Sequence, residues 1–248
     1  MTRRKSAGLA CLLLAAVAGA GCSMGPSASG TFDRTLSVSG PIRLELNNTS
    51  GDVSITGSTD GKVHIHGTAR ASGIGFESPD KRLSDLLANP PIEQHGATIR
   101  IGEEMRRLRN VSVSYMIEVP HETEITSRVL SGAQDIQNVR GPVKAEAASG
   151  SIHASHIEQL TQLSTLSGTI RADNIGDDIR ANSASGSVTV SDIKGDIRIS
   201  ALSGSTQITK PGGRVEASTA ARRAGPPRVA RRDRARPRGP PGARRARR

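Results

Sequence analysis

Between residues 131 and 220, hydrophobic and polar positions repeat every 18 residues. Ser-Gly recurs at 131–132, 149–150, 167–168, 185–186 and 203–204. With each Ser as position zero, apolar residues favour positions 3, 5 and 8 and again 12, 14 and 17. The clearest copy carries Val188, Val190, Ile193, Ile197, Ile199 and Leu202. Spacings of two within each nine-residue half predict a short strand with alternate side chains facing inward, so each coil has two strands. Gly at position 1 in all five copies, and Gly141, Gly195 and Gly213 at position 10, fit corners rather than a phosphate-binding loop.

A single coil cannot stand alone. Ordering 18 residues costs roughly 18–36 kcal/mol of backbone entropy, and burying about five aliphatic side chains returns roughly 8–15 kcal/mol. Coils must therefore stack, share ladder hydrogen bonds and cover one another's apolar edges, with caps on the terminal ones. A hexapeptide left-handed β-helix needs an apolar position every six residues, and gaps of two, three and four do not supply it. The calcium-binding β-roll needs Gly-Gly-x-Gly-x-Asp turns, whereas Asp173, Asp177, Asp192 and Asp196 are scattered in register.

Residues 36–69 carry a similar pattern, with Ser50-Gly51 before Val53 and Ile55, then Gly61 before Val63 and Ile65, and predict an N-terminal rung. Leu83, Leu86 and Leu87 at helical spacing behind Pro79, stopped by Pro90-Pro91, predict one short helix near 80–88 that caps or braces the array. Strands are predicted at Ala97–Ile101 and Val111–Val119, the second alternating Val111, Val113, Tyr115 and Ile117. The fold class is all-β, a parallel β-solenoid of two-strand coils.

The run Leu44-Glu-Leu-Asn-Asn-Thr-Ser-Gly-Asp-Val-Ser-Ile, then Tyr115-Met-Ile-Glu-Val-Pro120, then serial Ser-Gly-x-Ile/Val copies resembles the bacterial putative-adhesin family of β-strand repeats, a domain of unknown function. The resemblance spans about residues 36–220. It implies a β-solenoid of the cell envelope, often tethered, and brings no functional residues with it.

Composition refines this picture. Phe32, Phe76 and Tyr115 are the only aromatic residues and there is no Trp, so thin aliphatic layers are expected rather than a bulky core. The net charge of +11 lies wholly in the tail, where Arg222–Arg248 holds 12 Arg and one Asp. Residues 1–221 are therefore neutral, and no specific nucleic-acid partner is expected of the folded part. The next Ser-Gly is due at 221–222, where the chain has Ala221-Arg222, so the repeat stops in mid-rung. Residues 221–248 are expected to be disordered. The abrupt change favours a shifted reading frame over a genuine basic tail, and resequencing across the Thr219 codon tests it.

Arg3, Arg4 and Lys5 precede an apolar run from Ala7 to Ala20. At 1.5 Å per residue this spans roughly 21 Å, short of a ~30 Å hydrocarbon layer, which suits a signal peptide over residues 1–21 rather than a membrane span. Ala18-Gly19-Ala20-Gly21-Cys22 resembles a bacterial lipobox, with Gly19 where an aliphatic residue is preferred. The resemblance implies diacylglycerol on Cys22, and Ser23 after it implies the outer membrane. Cys11 leaves with the leader, so no disulfide or thiol-based metal site remains. Residues 22–35 read as the lipidated Cys and a flexible tether, and 36–220 as the solenoid domain.

Catalytic chemistry is not predicted. His64 and His66 lie two apart on a strand and share one face without an evident third metal ligand. His153 and His156 sit at outward positions, and His95 and His121 near turns without a clear partner. Glu103, Glu104, Arg106, Arg107 and Arg109 form the only dense charge cluster of the folded region and read as a solvated loop. No nucleophile elbow, Walker loop or metalloprotease helix occurs. The expectation is a noncatalytic, cofactor-free, lipid-anchored envelope protein serving adhesion, scaffolding or envelope interaction, with the membrane and an envelope protein or polymer as partners. Two alternatives are a binding module for an anionic envelope polymer and a polysaccharide-active β-helix enzyme.

Overall fold

The computed structural model describes residues 27–73, 78–103 and 110–219, with the backbone of 228–229. The order is β1 (Ser27–Ser37), β2 (Arg43–Ser50), β3 (Val53–Ser58), β4 (Lys62–Ser72), α1 (Pro79–Ala88), β5 (Ile92–His95), β6 (Thr98–Ile101) and β7 (Val111–Pro120). The repeat follows as β8 (Glu124–Ser131), β9 (Gln134–Val139), β10 (Val143–Ser149), β11 (Ile152–Ile157), β12 (Thr161–Ser167), β13 (Ile170–Ile175), β14 (Ile179–Ser185), β15 (Val188–Ile193), β16 (Ile197–Ser203), β17 (Thr206–Pro211) and β18 (Val215–Thr219), then a two-residue β19 (Arg228–Val229). Ten strands form one sheet in the order β1-β4-β7-β3-β9-β11-β13-β15-β17-β19, and nine form the other, β18-β16-β14-β12-β10-β8-β2-β6-β5. The predicted parallel solenoid is thus observed, each rung giving one strand to each sheet.

The period sets the register. Val143 pairs with Thr161, Thr161 with Ile179 and Ile179 with Ile197, each residue lying over its copy one rung away. Positions 3, 5 and 8 face inward, as in Val188, Val190 and Ile193, and positions 12 and 14 do too, as in Ile197 and Ile199. Position 17 does not. Leu130, Leu166 and Leu202 are 58%, 64% and 62% exposed, and the third inward position is 16, held by Val129, Ala147, Thr165, Ser183 and Ala201. Strict alternation from 12 through 14 requires this outcome. The leucines had marked the wrong face because the inward column at 16 is built from small and polar residues.

The three-residue step from position 5 to 8 also has a local cause. Asn138, His156, Asn174, Asp192 and Lys210, all at position 7, adopt φ between 48° and 58°. One left-handed residue per rung shifts the alternation by one, so that position 8 returns inward. At position 1 the glycines have φ from 133° to 148°, and a Cβ there would run into the carbonyl of the corner glycine one rung earlier. Glycine is required twice over at that corner. At position 10 the reason is close approach alone, since a Cβ on Gly141 would meet the Thr123 carbonyl.

The N-terminal rung is only partly the one expected. β2 and β3 form it, pairing in parallel with β8 and β9. The half marked by Gly61, Val63 and Ile65 instead belongs to β4, which runs antiparallel to β7 and β1. β6 and β7 make a further rung outside β2–β3, because β6 pairs with β2 and β7 with β3. The chain therefore lays down β2–β3, then the outer rung, and passes back over the first to begin β8.

Beyond the outer rung, β4, β1, β5 and α1 close this end. Ser78 caps α1 by accepting from the Lys81 amide, and Leu83 and Leu86 are buried. Residues 27–35, read above as tether, are part of β1, paired from Ser27 opposite Ser72 onward. The small residues that suggest a linker serve packing here, since Gly30 leaves room for Leu87, which a Cβ would approach to 2.6 Å. The leader, Cys22 and residues 104–109 lie outside the described residues, as does the tail apart from β19.

Candidate functional site: the outward faces of the solenoid

Outward positions align into columns as regular as the core. On the ten-stranded sheet His66, Met116, Ser54, Asp135, His153 and Arg171 follow one another across neighbouring strands. His64 and His66 share this outer face, as the sequence predicts, and each meets a carboxylate. His64 Nε2 lies 2.7 Å from Asp60 Oδ2, and His66 Nδ1 lies 2.7 Å from Asp33 Oδ1. Asp60 Oδ1 also accepts from the Lys62 amide at 2.8 Å. The His64 hydrogen bond, then the Lys62 amide, hold the Asp60 carboxyl below its usual range. With Met116 and Glu118 these residues line a shallow cavity of about 380 Å³. Among the described residues no three His, Cys, Asp or Glu side chains are grouped to hold a metal.

His153 stands between two rungs, with Nδ1 3.2 Å from Asp135 and Nε2 3.4 Å from Asp173, whose carboxylate accepts from Ser191 Oγ. The carboxylates flank opposite ring nitrogens, so the cluster ties rungs together and does not converge on a point. His156 is the exposed left-handed residue of its rung. His95 pairs with Glu93 at 3.2 Å. His121 has a clear partner after all, the Asn138 carbonyl at 2.7 Å. Of the predicted charge cluster, Glu103 is described and exposed.

Ion pairs also follow the period. Arg128 bonds Glu146 at 3.0 Å, Arg198 bonds Glu216 at 3.2 Å and Lys210 meets Asp192 at 3.1 Å, each 18 residues apart. At the charged corner Asp178 Oδ1 accepts from the Asp196 amide and Asp196 Oδ1 from the Arg214 amide. These acids are corner caps, a role that their 18-residue separation signals in the sequence.

A groove of about 470 Å³ on the nine-stranded sheet is lined by Asn47, Thr49, Arg128, Leu130, Glu146, Ala148, Ser164 and Leu166. The sequence reading misses it, because the leucines that shape it were assigned to the core.

No protein-family model matches the chain, and no curated protein does. A crystal structure of a "putative cell adhesion protein" from Clostridium sporogenes ATCC 15579 aligns with 77% of this chain and 100% of its own, at 10% identity and a TM-score of 0.40. A likeness at that level carries no argument about this chain.

Proposed function

We propose that the protein is a noncatalytic, lipid-anchored component of the bacterial cell envelope that acts by contact, in adhesion or scaffolding. The observation that carries this reading is the rigid, repeating outer surface: side chains on both sheets recur in register from rung to rung, over a core of aliphatic columns. Such a surface suits an extended partner that meets the same chemistry several times. The position of Cys22 adds an orientation. It lies five residues before β1, whose first residue pairs in the closed end of the array. A lipid there would hold the closed end towards the membrane and direct the remaining rungs away from it.

Crosslinking and pull-down from intact envelope with protein lacking residues 221–248 test the contact role. Recovery of a defined envelope partner supports it, and turnover of one glycan from a panel would replace it with an enzyme. Fractionation tests the anchor: Cys22→Ser should release the protein from membranes, and retention would argue against lipidation. The 12 Arg of residues 222–248 support the second reading, capture of an anionic envelope polymer. Polymer binding that survives removal of the tail would exclude the tail as its source.

A further inference from the structure

The two corners of each rung differ in a way that the fold alone does not require. The corner at positions 9 to 11 carries a charge in every rung: Arg140, Glu158, Asp177 and Asp178, Lys194 and Asp196, then Arg214. The other corner, positions 17, 0, 1 and 2 in five successive rungs, has none among its 20 residues, although 23% of the chain is charged. Each rung there presents Leu or Ala, then Ser, Gly and one of Ala, Ser or Thr. Depletion of charge with retained apolar side chains is the composition of an interface centre rather than of a solvated edge.

The apolar residues on this ridge alternate. Leu130, Ala148, Leu166, Ala184 and Leu202 lie one rung apart, so leucines stand about 9.6 Å from one another with an alanine dimple between each pair. The first dimple, over Ala148 between Leu130 and Leu166, is part of the groove described above. The second lies over Ala184. A surface that fits must offer knobs at the same spacing, and the ridge itself does.

We infer that this uncharged ridge is a self-association surface, which pairs with the same ridge of a second copy in antiparallel fashion about a two-fold axis. With the axis between rungs 166 and 184, Leu166 enters the Ala184 dimple of the second copy and Leu202 enters its Ala148 dimple. The two-fold repeats both contacts, giving four leucines in four dimples. An isologous interface needs such a self-complementary patch. No unpaired charge is desolvated, because Arg128 and Glu146 at the margin of the groove already bond each other at 3.0 Å. The ridge spans four intervals of about 4.8 Å, roughly 19 Å, which places the contact at the small end of specific interfaces. The dimer is therefore weak, with dissociation on the order of 100 μM.

Sedimentation of the exported full chain bearing Cys22→Ser, free of detergent, tests this from about 10 μM to 1 mM. The mass should rise towards a dimer and stop there. Leu166→Glu should weaken association at least tenfold, and Ala184→Leu should weaken it by filling a dimple without adding charge. Lys194→Glu on the charged corner should leave it intact. Circular dichroism confirms that each variant is folded, which the exposure of Leu166 favours. A wild-type monomer at every concentration overturns the inference. So do a dimer unaffected by both ridge variants, open-ended association, or capture of an unrelated polypeptide through Leu166 by an otherwise monomeric chain.

Discussion

The ring nitrogen Nδ1 of His121 lies 2.7 Å from the carbonyl oxygen of Asn138, 17 residues further along and one rung away. The carbonyl can only accept, so Nδ1 carries the proton. The His121 amide donates to the Ser58 carbonyl at 3.1 Å, and its own carbonyl accepts from Arg140 at 2.7 Å. This residue thus fastens the place where the chain leaves β7, passes over the first rung and begins β8. Gly57 makes room for it, because a Cβ there would collide with the Asn138 carbonyl and come within 2.7 Å of the His121 ring.

Two substitutions test that junction. His121→Ala should lower the unfolding free energy by about 1 kcal/mol through the lost hydrogen bond. Gly57→Ala should cost more, about 2–3 kcal/mol, because backbone must move. Denaturant titration of both variants checks the order, and an equal or inverted cost would mean that the crossing relaxes freely.

The left-handed column at position 7 predicts a gain. His156 and Lys210 adopt φ of 55° and 48°, a region disfavoured for side chains of their kind. His156→Gly and Lys210→Asn should each raise stability by about 0.5–1 kcal/mol. Lys210 gives up only an exposed pair with Asp192, which is worth little. Gly168→Ala should do the reverse, since φ there is 148° and a Cβ would meet the Gly150 carbonyl. Thermal melts of the three variants provide the comparison.

The period, the two strands per rung, the corner glycines and the helix are legible in the sequence because they are local or repeat at fixed spacing. Position 17 is misread for a physical reason: Leu202 looks like core and Ser183 like surface, while the narrow interior takes the smaller residue. The crossing over β2–β3 leaves no local trace. It depends on β4 pairing with β7, whose first strand residues are 49 apart in sequence, Lys62 against Val111. The tether reading fails over 27–35 because Ser, Gly and Ala denote flexibility only when nothing packs against them, and Leu87 does.

Tyr115 is buried, its hydroxyl has no hydrogen-bond partner, and burial pushes its pKa up. Its ring meets Phe32 edge-on with centroids 6.2 Å apart, over Gly67, which pairs with both residues. Tyr115→Phe keeps that contact and removes the unpaired hydroxyl, so it should be neutral or stabilising by about 1 kcal/mol. Tyr115→Ala should cost about 3–5 kcal/mol through the cavity it leaves. Calorimetry on the pair separates the ring from its hydroxyl.

Glu146 accepts from Lys144 at 2.9 Å and Arg128 at 3.0 Å. The Lys144 bond, with help from Arg128 and against partial burial, holds its carboxyl below the ordinary 4.5. The unfolded chain therefore takes up the proton first. The pairing contributes fully above about pH 4.5 and is lost as the pH falls through the depressed folded value. Glu146 is part exposed, so the effect is modest, about 0.5 kcal/mol. Glu146→Gln should narrow the stability difference between pH 7 and pH 3 by that amount, as read from urea midpoints.

The closed end built by β1, β4, β5 and α1 makes the molecule a ruler with a fixed zero. Each 18-residue unit between 131 and 220 begins and ends at equivalent corners, so one whole unit can be inserted or removed without disturbing that end. Every such change moves the far rung by about 4.8 Å. Reach from the closed end is therefore set in integer steps by repeat number, while the chemistry offered at each step is chosen independently by the outward residues of that rung.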